Sequence, residues 1–217
     1  MTDEAAAEQP LWNCVTWLQK SPCDIRRKIN MQMSSDSFSL LCLNLTADSN
    51  IGNMVRTACL LGCKNFYTAG RRKWDKRSSV GAQNYMNIIH LENIYTCIID
   101  THHALECDCG ECKIVNVDAL IAFIRAIGAT PVFVEQGGIS VLEKSWKVGH
   151  SHVVFIYGNE SHGIPRQVIY AVKQNIPETV VVSVPQLGIM RSHNVATACS
   201  IVLWEYNRQR LMDISCI

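Results

Sequence analysis

Five polar side chains near strand-to-helix junctions carry the chemistry this chain could perform. Asn50 and Arg56 lie in N-I-G-N-M-V-R-T-A (50–58), and Glu160 in Y-G-N-E-S-H-G-I-P (157–165). Ser192 and Asn194 lie in V-P-Q-L-G-I-M-R-S-H-N-V (184–195). A guanidinium, a carboxylate, a hydroxyl and two amides can grip a polar substrate and stabilise charge that develops on it. Singly, each has a bland reading: an arginine on a helix is usually an ion-pair partner, and a glutamate in a glycine loop a turn residue or cap. Function requires that they converge. No G-x-G-x-x-G follows a strand, and there is no Walker loop, zinc-hydrolase helix motif or nucleophile elbow.

Two other stretches hold reactive or charged groups. Gly70 to Arg77 (GRRKWDKR) is the densest basic run, with Arg71, Arg72, Lys73 and Arg77 around Trp74. Cations hold phosphates and an aromatic ring stacks bases, so this mixture suits single-stranded or looped RNA; the alternative is an exposed charged loop. Asn93 to Lys113 fits no helix or strand period and contains His102, Cys107, Cys109 and Cys112. These are zinc-ligand types, but C-x-C-x-x-C lacks two clean pairs, so a reduced insertion is the competing reading.

The elements that must position these groups follow from periodicity. Phe38 to Leu45 reads as a buried strand, followed by a helix from Ile51 to Leu61 closed by Gly62. Phe66 to Thr68, Ile88 to Leu91, Pro131 to Glu135, Val153 to Tyr157 and Val180 to Val184 read as further strands. Ser78 to Tyr85, Val117 to Ile127 and a segment from Pro165 read as helices. Pro185 stops the last strand, and Ser192 is expected to cap a helix starting near Asn194. That helix is apolar nearly all round, which predicts burial on every side; a chain of this size has little core to bury it in alone, so a subunit interface is the expected cover. Alternation of strands and helices predicts a mostly parallel sheet with helices on both faces, its ligand at the strand ends.

Residues 1–37 are expected to be an N-terminal helical extension. Its first nine residues read as disordered, Leu11 to Gln19 as a docking helix, and Ser21-Pro22-Cys23-Asp24 as the start of another. Residues 38–217 are expected to form the main domain, with 93–113 inserted in it. At 217 residues and net charge +1 the chain has no global field for nucleic acid, so RNA binding would need local patches. No apolar run is long enough to span a membrane, and the acidic start is unlike a signal peptide, which predicts a cytoplasmic, intracellular protein without a membrane partner. Eleven cysteines, an odd number, point to reduced thiols.

The three motifs, in their order and spacing from about Phe38 to Leu211, resemble those of the SPOUT, or trefoil-knot, RNA methyltransferases. P-Q-x-G-x-x-R-S-x-N-V followed by W-E-Y-x-R-Q is most similar to the eukaryotic tRNA guanosine 2′-O-methyltransferases that modify the D-loop. The resemblance implies an α/β fold whose C-terminal segment threads a deep knot, an S-adenosylmethionine cofactor, no metal, and a homodimer joined through the last helix. It implies methyl transfer to a ribose 2′-hydroxyl of RNA, a tRNA D-loop guanosine foremost. The alternatives are the same chemistry on ribosomal RNA, or a non-catalytic knotted RNA binder. It places the cofactor against backbone atoms of Val134, Gly158, Val184, Leu187, Gly188 and His193, the last standing where the family usually has leucine. Arg56 would sit at the target ribose across the dimer, with Asn50, Glu160, Ser192 and Asn194 completing the catalytic set. Arg191 would join Arg71, Arg72, Lys73, Trp74 and Arg77 in binding RNA.

Overall fold

The computed structural model describes residues 38–44, 49–70, 72–97, 113–146, 152–159 and 162–214. The expected N-terminal extension and the Cys/His cluster at 102–112 lie outside the described residues. β1 (Phe38–Asn44), β2 (Asn65–Gly70), β3 (Asn87–Leu91), β6 (Thr130–Ser140), β7 (Val153–Tyr157) and β8 (Val180–Ser183) form one sheet in the order β3-β2-β1-β7-β6-β8. Every pairing within it is parallel. Parallel strands need crossovers, which here place helices on both faces, as the alternating pattern predicts.

Alternation along the strands divides the core. Phe38, Leu40 and Cys42 of β1 face one side, with Phe155, Tyr157 and Val182. Helices α1 (Ser49–Leu60) and α4 (Val195–Ile214) cover that side. Leu41, Leu43, Phe133, Val154 and Ile156 face the other, under α2 (Val117–Ala126) and α3 (Arg166–Asn175). Tyr206 of α4 is the hub of the first layer, with edge-on contacts to Phe38 at 5.4 Å, Phe155 at 5.2 Å and Trp146 at 5.3 Å. The connection after β6 is tied to the same helix: the Trp146 amide donates to Gln209 Oε1 at 2.8 Å, and Gln209 Nε2 donates to the Lys144 carbonyl at 3.0 Å.

Three expectations need correction. Residues 78–85 are not one helix but two short 3₁₀ turns, Lys76–Ser79 and Ala82–Asn84. Val80 and Gly81, both at positive φ, separate them and prevent a continuous helical ladder. The edges of 93–113 are ordered after all: β4 (Tyr95–Cys97) and β5 (Lys113–Val115) pair antiparallel as a separate two-stranded sheet. β6 runs five residues beyond Glu135, because it meets β8 twice. Within one chain α4 is covered on one side only; Trp204 is 60% exposed, while Glu205 is buried. No helix among the described residues is long and apolar enough to cross a membrane.

Candidate active site

β1, β7, β6 and β8 are adjacent and parallel, so their C-terminal ends share one edge of the sheet. An open cleft of about 620 Å³ lies there. Its apolar floor is Val134, Val184, Val195 and Ala198; its walls are the loop after β7, with Gly158, Asn159, His162 and Gly163, and the loop after β8, with Arg191, Ser192 and His193. The walls come close because glycine permits it. A Cβ on Gly158 would stand 2.4 Å from the Gly163 carbonyl carbon, so the turn after β7 closes on itself only without a side chain there. The Gly163 amide donates to the Asn159 carbonyl at 2.8 Å and completes that turn.

The first and third motifs meet directly. Asn194 Nδ2 donates to Asn50 Oδ1 at 3.0 Å, across 144 positions of sequence. The other end of the Asn194 amide accepts from the Ala196 and Thr197 backbone N–H groups at 2.9 and 3.2 Å. Asn194, not Ser192, therefore caps α4. Ser192 stays exposed on the cleft wall. Thr57 and Ser200 hydroxyls, 3.1 Å apart, add a second link between α1 and α4. Arg56 is exposed on α1 and is not among the residues lining the cleft within one chain. Glu160 lies outside the described residues, so the second motif is represented by its flanks.

Of the expected cofactor residues, Val134, Gly158, Val184 and His193 line the cleft. Leu187 and Gly188 do not; Leu187 stands fully exposed on the loop after β8 with Ile189 and Met190. His193 Nε2 lies 3.4 Å from the Pro185 carbonyl, which turns the ring back toward its own loop. Beneath the floor, burial pushes the Tyr157 phenol and the Cys199 thiol well above their ordinary values. Both groups stay neutral and serve packing rather than proton transfer.

The basic run is placed beside α1. Ser78 Oγ donates to the Ser49 carbonyl at 2.7 Å, which docks the end of the run against the turn that carries Asn50. Arg72 and Lys73 are exposed; Arg72 is 3.6 Å from Glu92 at the surface. Arg77 is paired with Asp75 at 3.0 Å, and its hydrogen bonds hold the Asp75 carboxyl below the usual carboxylate range. Trp74 is half-buried against the core, not splayed outward. Arg71, His102, Cys107, Cys109 and Cys112 lie outside the described residues, and no group of three or more potential metal ligands occurs among those described.

The model of the SpoU rRNA methylase family matches residues 37–204. The chain belongs to that family. Among solved structures, this SpoU chain is similar to the SpoU methyltransferase AviRb from Streptomyces viridochromogenes in complex with AdoMet, at 24% identity and a TM-score of 0.58 over 84% of this chain and 61% of that one. It is similar also to the A. aeolicus TrmH/SpoU tRNA modifying enzyme, at 19% identity and a TM-score of 0.60 over 88% and 83% of the two chains. At these identities the likeness is one of fold. In sequence it is 34% identical over 88 residues to the mouse tRNA (guanosine(18)-2′-O)-methyltransferase TARBP1; this covers 41% of the chain but only 5% of that protein.

Among the polar cleft residues of this SpoU domain that the sequence reading does not name as site residues are Glu135, Gln136 and His162. The signal for the first two was present. A glycine pair, Gly137-Gly138, follows the apolar strand, and polar residues just before such a pair at a strand end invite the same suspicion as the other motifs.

Proposed function

We propose that this chain is an S-adenosylmethionine-dependent RNA ribose 2′-O-methyltransferase acting on tRNA, with a D-loop guanosine as its target. The observation that carries the reading is the hydrogen bond between Asn50 and Asn194, the latter lying in the chain between His193 and Val195, which line a cleft of about 620 Å³. Family membership and the partial likeness to the mouse tRNA enzyme support it.

The cleft suits the cofactor. Its volume is in the range of ligand sites, its floor offers aliphatic surface to an adenine ring, and its loops offer backbone polar groups. Val134, Gly158, Val184 and His193 would hold it. When bound, S-adenosylmethionine supplies an electrophilic methyl group. The chain's task is then to align a ribose hydroxyl and stabilise the alkoxide that forms on it. Asn194 is fixed by the bonds to Asn50 and to the start of α4, so its amide is rigid next to the cleft. Ser192 offers a second hydroxyl contact. A guanidinium is a poor proton acceptor, so the role given to Arg56 is a clamp on the substrate phosphate and a counter-charge to the alkoxide rather than a base. Glu160 is assigned to anchoring the motif loops. Arg191, with Arg71, Arg72 and Lys73, would bind the RNA backbone.

The assembly belongs to the same reading. Arg56 faces outward on α1, and the exposed Leu60 and Trp204 mark the α1–α4 layer as a surface that a second copy would cover. Residues of α4 would pass through the β6–β7 connection as a knot, which the ties of Gln209 to Lys144 and Trp146 would lock.

Incubation of the protein with methyl-labelled cofactor and total RNA tests the proposal. Label is expected in tRNA as a 2′-O-methylated guanosine, and Arg56→Ala should abolish transfer while cofactor affinity is largely kept. RNA binding without transfer would replace the enzyme by a knotted RNA binder. Label in ribosomal RNA alone would overturn the tRNA assignment.

A further inference from the structure

Between the two loops that wall the cleft stands a feature with no role so far. β6 pairs with β8 up to Val134↔Val182, then pairs again from Ile139↔Val182, so that Val182 faces two residues of β6. The four residues between, Glu135 to Gly138, leave the ladder and bulge outward at the cleft edge. Glycine makes this possible: Gly137 has φ +80°, and a Cβ on Gly138 would come within 2.7 Å of the Val181 backbone. The Gly138 carbonyl accepts from Ser183 Oγ at 2.9 Å, which fixes the base of the bulge on β8.

The two side chains at its tip hold different loops. Glu135 Oε2 accepts from the Ile164 amide at 2.7 Å, and Oε1 accepts from the Gln136 amide at 2.9 Å. Carboxylate bonds of this length to backbone N–H groups are charge-assisted. A Cβ at Gly163, where φ is +65°, would lie 2.5 Å from Glu135 Oε2, so a side chain there would push the carboxylate away from the Ile164 amide. Gln136 Nε2 donates to the Arg191 carbonyl at 2.6 Å. The carboxylate thus restrains the loop after β7, and the amide restrains the loop after β8.

We propose that Glu135 and Gln136 act as a two-armed clip that fixes the spacing of the two cleft walls and thereby sets affinity for the methyl donor. Both are positioning residues: they act through Ile164 and Arg191. The inference rests on the methyl-donor reading of the cleft for its ligand, though not for its loops.

The test uses the full chain with Glu135→Ala, Glu135→Gln and Gln136→Ala. Calorimetric titration with S-adenosylmethionine and, separately, amide hydrogen exchange without ligand provide the readouts. Each alanine variant should weaken cofactor binding about ten- to a hundredfold, the range spanned by one lost hydrogen bond to a charged or buried group. In Glu135→Ala the Ile164 amide should exchange faster while 186–193 is unchanged; Gln136→Ala should show the reverse. Glu135→Gln keeps one acceptor for Ile164 and should restore both its protection and part of the affinity, which separates positioning from a general loss of fold. Unchanged exchange at Ile164 in Glu135→Ala would overturn the clip itself. Unchanged cofactor affinity with loosened loops would overturn its role in binding. A wild-type protein that binds no cofactor would instead sink the proposed activity, while the exchange experiment still decides whether the arms hold the loops.

Discussion

Asn194 joins two tasks in one side chain. Its oxygen caps α4 and its nitrogen reaches Asn50 on α1, so the helix that carries much of the core starts from the residue that links two motifs. The two tasks can be separated by substitution. Asn194→Ala loses both and should lower stability by about 1 kcal/mol, the usual cost of a lost cap. Asn194→Asp still accepts from the Ala196 and Thr197 amides, and its charge suits a helix N-terminus. It cannot donate to Asn50. The aspartate variant should therefore melt near the wild type, yet lose methyl transfer as fully as the alanine variant. Thermal melts and label incorporation on the same preparations check this; an active aspartate variant would show that donation from residue 194 to Asn50 is dispensable.

At the scale of elements, packing decides more than propensity. Gly52 sits inside α1, where alanine would normally favour the helix by up to about 1 kcal/mol. A Cβ there would lie 2.0 Å from Ser78 Oγ and 2.8 Å from the Asp75 carbonyl oxygen. The serine could rotate, but the carbonyl belongs to a turn docked on the helix. Gly52→Ala should thus destabilise the protein by about 1–3 kcal/mol, an overpacking cost, as read by denaturant unfolding. Glu205 makes a second case. Its buried carboxylate accepts from Arg208 Nη2 at 2.7 Å and Gln209 Nε2 at 2.8 Å. Arg208 first, and Gln209 with it, hold its carboxyl below the ordinary range against the opposing effect of burial. A lowered folded value means that the stabilisation is complete above the ordinary carboxylate value, about 4.3, and is lost as pH falls through the folded one. The melting temperature should fall in that acid window, and Glu205→Gln should flatten the fall.

These elements also show where sequence was enough. The bounds of β1 and β7 and the start of α2 follow from apolar runs and helical periodicity; the Asn116 side chain, which accepts from the Ala119 amide, is a cap the structure adds. The parallel sheet follows from strand–helix alternation, and the meeting of Asn50 with Asn194 from both lying at strand ends. What escaped was tertiary. Nothing local to E-Q-G-G says that β6 meets β8 twice, and nothing local to W-E-Y says that the glutamate turns inward and the tryptophan outward. Ser192 is as good a cap by type as Asn194; only the position of α4 chooses between them.

At the scale of the whole molecule, one chain leaves apolar side chains of the α1–α4 layer uncovered. α4 leaves Trp204 60% exposed, α1 leaves Leu60 76% exposed, and Arg56, exposed one turn before Leu60, does not line its own cleft. A second copy packed on the α1–α4 layer would bury both apolar side chains and carry Arg56 toward the partner's cleft, as a self-complementary dimer allows. Complementation distinguishes this arrangement from one in which Arg56 serves its own chain. Arg56→Ala and Asn194→Ala should each be inactive alone. Denatured together in equal amounts and refolded, half of the dimers are mixed, and each mixed dimer has one site with both Asn194 and Arg56 intact. Activity should recover to about a quarter of wild type, the share of intact composite sites under random pairing. Trp204→Glu introduced into both chains should yield monomers by sedimentation and abolish the recovery. No recovery from the mixed pair, with mixed dimers shown to form, would place Arg56 and Asn194 in the same chain's site and remove the reason for the second subunit.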